Sequence, residues 1–389
     1  MPLKNKTVLV FTGGGLAPAL NPTLYGIITA AQKNKMRILG GLYGWACLAE
    51  NGQVVDLTRF DAQPLRTVGG TILRSSRTNP FAEGGDTTVL KNQLRKHKVD
   101  YVVAIGGDDT LGAANQLFHR EGIQIAGVPK TVDNDLQATY WTPGYPSAAF
   151  YAARFAYEIK VDAAYALSRI FIVEVIGFRS GWIAAATAHG LADVIVPPEK
   201  KVKLDKLLTI LLERYNKNGG YATLVVSEQA HFDEDIRGIE QKQKDTYNVK
   251  RTSFVSLGLA KKITEKLGIE CKALIPGNYI QTGPPRIIDA QYAVQLGEKA
   301  IELIKEGKLG HMAALERPSM RSLNVAVTAV PLERAVGRQR TLDDSYFDFD
   351  NFVPTKKFTQ YTEPFLTQKG IADSRYLKLI HLIQQRARK

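Results

Sequence analysis

The chain has 389 residues, a length that predicts two domains. Hydrophobic residues make up 44% and charged residues 23%, which is enough for a sizeable core and is ordinary for a soluble protein. No apolar run approaches the roughly 20 residues of a membrane-spanning helix, and the short run near the N-terminus is typical of a first β-strand, not of a secretory signal. The two cysteines, Cys47 and Cys271, lie too far apart for a disulfide framework or a metal-binding motif, which favours a cytoplasmic location.

The charge is unevenly balanced, with 51 basic and 38 acidic residues and a net charge of +13. Such an excess suits either a nucleic-acid-binding protein or an enzyme that handles anionic phosphates. Acidic, polar or apolar residues interrupt the densest basic stretches, so we interpret these as solvated surface and expect no nucleic-acid partner. The stretches are residues 200–206, 242–251 and 386–389.

Short apolar segments alternate with helix-length segments along most of the chain. Buried β-branched strands joined by helices predict parallel α/β sheets. Residues 343–365 are aromatic and acidic without clean periodicity, and we expect them to wrap the surface before a last helix. The predicted strands are 8–11, 101–105, 123–128, 170–175 and 221–226, and the predicted helices are 22–33, 147–167, 204–215 and 374–388, with a further helix after residue 105.

Three polar loops follow predicted strands, where open α/β sheets bind their ligands. The first is Gly13-Gly14-Gly15, whose backbone N–H groups could approach a phosphate beside a helix N-terminus. It matches neither the P-loop nor the dinucleotide pattern, so a simple tight turn is the alternative.

The second loop is Gly-Gly-Asp-Asp-Thr at 106–110, with two adjacent carboxylates in a basic protein. Mg²⁺ prefers one or two carboxylates plus phosphate oxygens, so this loop suggests a cation between protein and phosphates. The alternative is that Asp108 or Asp109 caps the following helix.

The third loop is Pro-Lys-Thr-Val-Asp-Asn-Asp at 129–135. Phosphoryl transfer needs a cation on the moving phosphoryl group and a base for the attacking hydroxyl, and this loop could supply both. The alternative is a turn stabilised by its Asp and Asn side chains.

Taken together and in this order, GGGLAP, GGDDT and PKTVDND resemble the phosphofructokinase family. The similarity runs to about residue 340 and includes GGTILRSSRTNPF at 69–81, GYPSA at 144–148, VEVIGFRSGWIA at 173–184, ADVIVPPE at 192–199 and YIQTGPP at 279–285. The resemblance implies a two-lobed α/β fold, mainly parallel sheets flanked by helices, with the active site between the lobes of a homodimer or homotetramer. A larger donor-binding lobe would comprise 1–146 and about 290–340, a smaller acceptor-binding lobe 147–289, and a C-terminal extension 341–389.

The resemblance also implies roles for individual residues. Asp133 matches the catalytic base, with Thr131 and Lys130 beside it, and Asp108 matches the carboxylate that serves Mg²⁺. On the donor side the matching residues are Gly14, Gly15, Arg77, Gly107, Asp109 and Lys130. On the acceptor side they are Asp135, Arg169, Gly177, Glu228 and Tyr279, of which Arg169 commonly reaches the site of a neighbouring subunit.

Two positions indicate the phosphoryl donor. ATP-dependent members of the family usually have glycine in place of Asp109 and often in place of Lys130. Asp109 adds bulk and negative charge where a nucleotide would continue, and Lys130 adds a cation for a compact anion. The pair resembles the branch that uses pyrophosphate.

The acceptor side departs from the family pattern. Phe178, Ala273 and Thr282 stand where arginines that bind the phosphate of fructose 6-phosphate are usual. Fructose 6-phosphate remains the default acceptor if other cations take over these contacts, and an unphosphorylated sugar or polyol is the alternative. A non-catalytic, phosphate-binding subunit is a second alternative, which the intact catalytic loop disfavours. The nearest other cations are Arg179, Lys272 and Arg286.

Overall fold

The computed structural model describes residues 2–81, 86–165, 169–236, 239–240 and 252–387. Its strands are β1 (Thr7–Thr12), β2 (Arg37–Gly41), β3 (Val54–Asp56), β4 (Tyr101–Gly106), β5 (Ile125–Pro129), β6 (Arg169–Val175), β7 (Val194–Val196), β8 (Ala222–Ser227), β9 (Ile239–Glu240), β10 (Thr252–Ser253), β11 (Glu270–Leu274), β12 (His311–Glu316), β13 (Ala326–Pro331), β14 (Phe347–Asp348) and β15 (Val353–Pro354). Its helices are α1 (Leu20–Lys33), α2 (Thr88–Lys96), α3 (Asp108–Glu121), α4 (Tyr145–Tyr165), α5 (Trp182–Ala186), α6 (Leu204–Lys217), α7 (Val255–Leu267), α8 (Tyr279–Thr282), α9 (Ile287–Glu306), α10 (Leu332–Ala335), α11 (Lys356–Thr362) and α12 (Ser374–Ala387). Each predicted strand and helix is present, with ends shifted by a few residues.

The chain divides into two compact units. The first contains the chain up to Ser147 and the stretch Gln281–Arg340, and the second contains Ala148 to Ile280 and the chain from Thr341. The fold is therefore α/β, with one main sheet in each unit and two additional two-stranded sheets, β9–β10 and β14–β15, in the second.

The first unit is built on a seven-stranded sheet in the order β13-β12-β5-β4-β1-β2-β3. The five central strands are parallel, and an antiparallel strand closes each edge. Helices α1 and α9 pack closely, because a Cβ on Gly26 would lie 2.1 Å from the carbonyl oxygen of Val294 and one on Gly297 would lie 2.3 Å from that of Thr23. The buried core on this sheet includes Leu9, Phe11 and Leu111.

The second unit is built on a parallel four-stranded sheet in the order β11-β6-β8-β7. Strands β6, β7 and β8 are apolar and almost entirely buried, as expected of a parallel sheet covered on its faces, whereas the edge strand β11 is only partly buried. Among the described residues, no helix is long and apolar enough to cross a membrane.

The expectation that residues 343–365 only wrap the surface was wrong. Phe352 joins the core of the second unit, and Phe347 and Phe358 are also fully or almost fully buried. This segment contains the β14–β15 pair and α11, which are too short to produce a periodic pattern in the sequence. Two of the basic residues read as solvated surface form ion pairs here, Lys200 with Asp344 and Lys206 with Asp350, whereas residues 242–251 and 388–389 lie outside the described chain.

Candidate active site

The three polar loops lie side by side at the carboxyl ends of the central strands of the first unit's sheet. They follow β1, β4 and β5, which are adjacent and parallel. The backbone N–H of Gly13 donates to the carbonyl of Ile105 at 2.8 Å, and that of Lys130 donates to the carbonyl of Gly106 at 2.9 Å. The sheet topology therefore brings together three loops of which the first and the last are more than a hundred residues apart in the chain.

Two of the three glycines in the first loop, Gly13 and Gly14, do not present their N–H groups in the way the sequence suggested. The N–H of Gly13 is bound by Ile105, and that of Gly14 donates to the carbonyl of Ser76 at 2.9 Å. The nearest helix begins only at Leu20, so the loop is not at a helix N-terminus. What these glycines supply is space: a Cβ on Gly13 would lie 2.4 Å from the Thr110 hydroxyl oxygen, and one on Gly14 would lie 3.3 Å from the Lys130 ammonium nitrogen.

Lys130 brings a buried cation to this loop. Its side chain is only 2% exposed, and its Nζ donates to the carbonyl of Gly15 at 2.5 Å. The pKa of Lys130 is lowered to about 8, mainly by burial; Asp133 and Asp135 oppose this shift, and the positive charge of Arg77 adds to it. Arg77, Lys130 and the two carboxylates therefore act within one electrostatic environment.

Asp108 and Asp109 begin helix α3, but neither caps it. The N-cap residue is Gly107, and no side-chain hydrogen bond caps the helix. The half-buried carboxylate of Asp108 instead accepts a hydrogen bond from the N–H of Gly337 at 2.7 Å. Asp109, the next residue, is exposed. The helix-capping alternative is thus excluded for this loop.

Asp135 fits a magnesium site together with Asp108. Burial raises the pKa of Asp135, and the negative charge of Asp108 raises it further. One carboxylate oxygen of Asp135 is buried without a hydrogen-bond partner. A buried acceptor normally has a partner, and two hard oxygen ligands beside a phosphate site are what Mg²⁺ requires. The residues present therefore fit the cation.

The loop that follows β5 is held as a defined turn. The Thr131 hydroxyl accepts the N–H of Asp133 at 3.1 Å, and the Thr142 hydroxyl donates to the carbonyl of Thr131 at 2.7 Å. Asn134, between the two aspartates, is fully buried in the left-handed conformation with φ of 56°. The Thr131 hydroxyl therefore closes the turn, and the Asn134 side-chain oxygen also accepts the N–H of Thr142 at 3.2 Å, so the alternative of a turn stabilised by its Asp and Asn side chains is confirmed for Asn134.

The second unit places Gly177 and Glu228 together. They follow the carboxyl ends of the adjacent strands β6 and β8, and the N–H of Phe178 donates to the Glu228 carboxylate at 3.3 Å. Gly177 and Phe178 both have positive φ, 151° and 51°, so this loop is sharply bent. Glu228 also lines a cavity of about 390 Å³ with the residues that follow it up to Ile236.

Arg169 lies away from these residues. It is the first residue of β6, whereas Gly177 follows the other end of the strand, and six residues of strand span about 20 Å. Its guanidinium is 3.3 Å from Glu270, which also pairs with Lys272 at 3.5 Å. Tyr279, in the short helix α8, is 75% exposed. Within the second unit, Arg169 is therefore separated from Gly177 and Glu228, although the sequence predicted that all three bind the acceptor.

Sequence reasoning missed the segment that supports the catalytic loop. Gly337 binds Asp108, and Arg340 donates to several groups of the loop around Asn134. Both lie about 200 residues further along the chain, in a stretch without a motif. The position of Arg340 near the end of the family resemblance is the one signal that could have drawn attention to it.

Comparison with known proteins agrees with this geometry. The profile of the Phosphofructokinase family matches residues 7–304, so the chain belongs to the phosphofructokinase family. It is 31% identical to the pyrophosphate–fructose 6-phosphate 1-phosphotransferase of Dictyoglomus thermophilum, over 87% of this chain and 96% of that protein. It is 34% identical to the enzyme of the same name from Thermoproteus tenax, over 85% and 93%. Among solved structures, the pyrophosphate-dependent phosphofructokinase of Nitrosospira multiformis superposes with a TM-score of 0.82 at 25% identity, over 93% of this chain and 92% of that one.

Proposed function

We propose that this protein transfers a phosphoryl group from pyrophosphate to a sugar hydroxyl, with fructose 6-phosphate as the default acceptor. The observation that carries the donor assignment is the buried ammonium of Lys130 beside the glycine loop, together with Asp109 at the start of α3. Burial strengthens the electrostatic attraction between the Lys130 ammonium and a compact anion, because a charge in a low-dielectric site interacts more strongly than one in water. Asp109 opposes a longer, nucleotide-bearing donor.

The catalytic step uses the loop after β5. Asp133 accepts the proton of the attacking sugar hydroxyl, Thr131 fixes its backbone, and Lys130 stabilises the charge on the moving phosphoryl group. The donor phosphates are bound by Gly14, Gly15, Arg77, Gly107, Asp109 and Lys130, with the small residues leaving room for the anion.

Mg²⁺ is the proposed cofactor. Asp108 and Asp135 would hold it, the former kept in place by the N–H of Gly337. When bound, the cation neutralises charge on the phosphates. Because the negative charges of Asp108 and Asp135 repel each other, a cation bound by both carboxylates would reduce this repulsion.

The acceptor is proposed to bind through Asp135, Gly177, Glu228 and Tyr279, with Glu228 contacting hydroxyl groups. Fructose 6-phosphate is favoured by the names of the relatives. An unphosphorylated sugar or polyol is the alternative, because Phe178 supplies an apolar ring where an arginine is usual and Glu270 already pairs with Arg169 and Lys272. A non-catalytic phosphate-binding subunit is the remaining alternative.

The roles of the domains, the quaternary structure and the cellular location are part of the same proposal. We propose that the first unit, 1–146 and about 290–340, binds the donor, that 147–289 binds the acceptor, and that 341–389 is an extension. Because Arg169 lies at the opposite end of β6 from Gly177, its role toward an acceptor phosphate is best served in a neighbouring subunit, which supports a homodimer or homotetramer. The proposed location is the cytoplasm.

One experiment tests the proposal. The protein is incubated with Mg²⁺ and either pyrophosphate or ATP, with and without fructose 6-phosphate, fructose, other hexoses and polyols. Orthophosphate release is measured with pyrophosphate, and ADP release is measured with ATP, because these are the products that each donor leaves behind. We expect release that depends on an acceptor and is faster with pyrophosphate than with ATP. Equal use of ATP refutes the donor assignment, preference for a neutral acceptor replaces fructose 6-phosphate, and binding of pyrophosphate without any turnover favours the non-catalytic alternative.

A further inference from the structure

Arg340 donates hydrogen bonds to the backbone of the loop that carries Asp133 and Asp135. We infer that Arg340 is a positioning residue that holds this loop in its active shape, an inference that rests on the proposed function of the site. It does not touch the reacting atoms in this role; it acts through the loop.

The contacts form a fork across the two ends of the loop. Arg340 Nε donates to the carbonyl of Asn134 at 3.0 Å, and Nη2 donates to the side-chain oxygen of the same residue. Nη1 donates to the carbonyls of Thr139 at 2.7 Å and Tyr140 at 2.9 Å. The backbone N–H of Arg340 donates to the carbonyl of Asp135 at 2.7 Å. Two nitrogens of the planar guanidinium thus hold Asn134, and the third holds Thr139 and Tyr140.

Arg340 binds the loop at Asn134, the residue whose conformation sets the direction of both aspartates. Asn134 lies between the two carboxylates and adopts the left-handed conformation, which few residue types tolerate. Its side-chain oxygen also accepts the N–H of Thr142 at 3.2 Å, so the fork joins the turn to the chain that leaves it. A rotation at Asn134 would redirect Asp133 and Asp135 together, because they are its two neighbours.

The arrangement requires a guanidinium group. Asn134 is fully buried and Thr139 is 5% exposed, so removal of Arg340 takes a hydrogen-bond donor away from the carbonyls of two buried residues, which is costly. A lysine ammonium donates from a single point, whereas the guanidinium donates from three nitrogens in a rigid plane. Lysine at this position keeps the charge but cannot span Asn134 and Tyr140.

The same short segment also reaches the second carboxylate loop. Gly337 N–H binds Asp108, and the carbonyl of Gln339 accepts a hydrogen bond from the side chain of Gln137 at 3.4 Å. Residues 337–340 therefore contact both carboxylate-bearing loops within the first unit. A disturbance at Arg340 is expected to affect the alignment of Asp135 with Asp108.

The test compares Arg340→Ala and Arg340→Lys with the control Arg338→Ala, which removes an exposed arginine from the same segment. Amide hydrogen exchange of residues 131–144 is measured by mass spectrometry in the free protein, and kcat and KM are measured with pyrophosphate and fructose 6-phosphate. Both Arg340 variants should exchange faster in this segment and lose about 10–100-fold in kcat, since small misplacements of catalytic groups cost that much, while KM changes little. Millimolar guanidinium should restore part of the kcat of Arg340→Ala.

The outcomes separate this inference from the proposed function. Unchanged exchange in both Arg340 variants, or full kcat in Arg340→Lys, overturns the positioning role, because charge alone would then suffice. Should Arg340→Ala fail to fold, Arg340→Lys decides the question by the same two measurements. If the unaltered protein shows no turnover with any acceptor, the proposed function fails while the exchange measurement still tests the role of Arg340.

Discussion

Replacement of Lys130 by methionine should remove activity and increase stability at the same time. Lys130 is 2% exposed, and burial lowers its pKa from 10.5 to about 8. At about 1.4 kcal/mol per pKa unit, keeping it charged below pH 8 costs the folded state roughly 3 kcal/mol. Methionine fills similar space without the charge, although it loses the hydrogen bond to Gly15, worth about 1–2 kcal/mol. The net gain in the free energy of unfolding is therefore about 1–2 kcal/mol at pH 7.

The sign of the pH dependence follows from the lowered pKa. Between pH 8 and 10.5 the unfolded chain binds the Lys130 proton and the folded chain does not, so the stability of the unaltered protein rises with pH in this range. The advantage of Lys130→Met is thus largest below pH 8 and fades above it. Catalysis runs in the opposite direction, because the cation that the donor needs is lost as pH rises through about 8.

Two assays check this reasoning. Urea denaturation at pH 7 and pH 10 gives the free energies of unfolding, and kcat/KM for pyrophosphate against pH reports groups of the free enzyme. We expect kcat/KM of the unaltered protein to fall above about pH 8, and Lys130→Met to be slow throughout without that decline. Lys4→Met, at an exposed lysine, serves as the control. A less stable Lys130→Met protein, or the same alkaline decline in both proteins, would refute the argument.

Three further predictions concern the same site. Asp133→Ser should lower kcat by roughly 10²–10⁴-fold while pyrophosphate binding, measured by calorimetry, persists, and near-normal turnover would remove Asp133 from the role of base. Asp109→Gly combined with Lys130→Gly should raise kcat/KM for ATP and lower it for pyrophosphate; an unchanged ratio of the two values would contradict the donor assignment. Excess EDTA should abolish turnover and added Mg²⁺ should restore it, because the carboxylates of Asp108 and Asp135 would otherwise repel the donor phosphates. Full activity in the chelator would exclude the proposed cation.

The sequence predicted the strands, the three loops and their place at strand ends because these features are local. A glycine pair after an apolar strand, or charged residues after Pro129, can be recognised within about ten residues of chain. Their family resemblance was confirmed by the match over residues 7–304. The assignment of individual residues to donor, acceptor and metal stays a prediction, since it depends on ligands.

The sequence misled in two places where a local pattern has more than one structural outcome. Glycine-rich loops after strands often expose N–H groups to phosphates, but those of Gly13 and Gly14 bind neighbouring carbonyls. Residues 343–365 lack periodicity because single aromatic anchors such as Phe352, and not a repeating face, fix them in the second unit. Neither outcome can be read from spacing alone.

The sequence by itself therefore determined the fold class, the family and the chemical character of each loop. Only the tertiary structure decided which groups meet: the Lys130 ammonium with the Gly15 carbonyl, Asp108 with Gly337, and Arg340 with Asn134. These contacts join residues more than a hundred positions apart, so their partners are set by sheet order and by the return of the chain after β13. A hydrogen bond depends on position and direction within a fraction of an ångström, and those are properties of the packed chain and not of any segment of it.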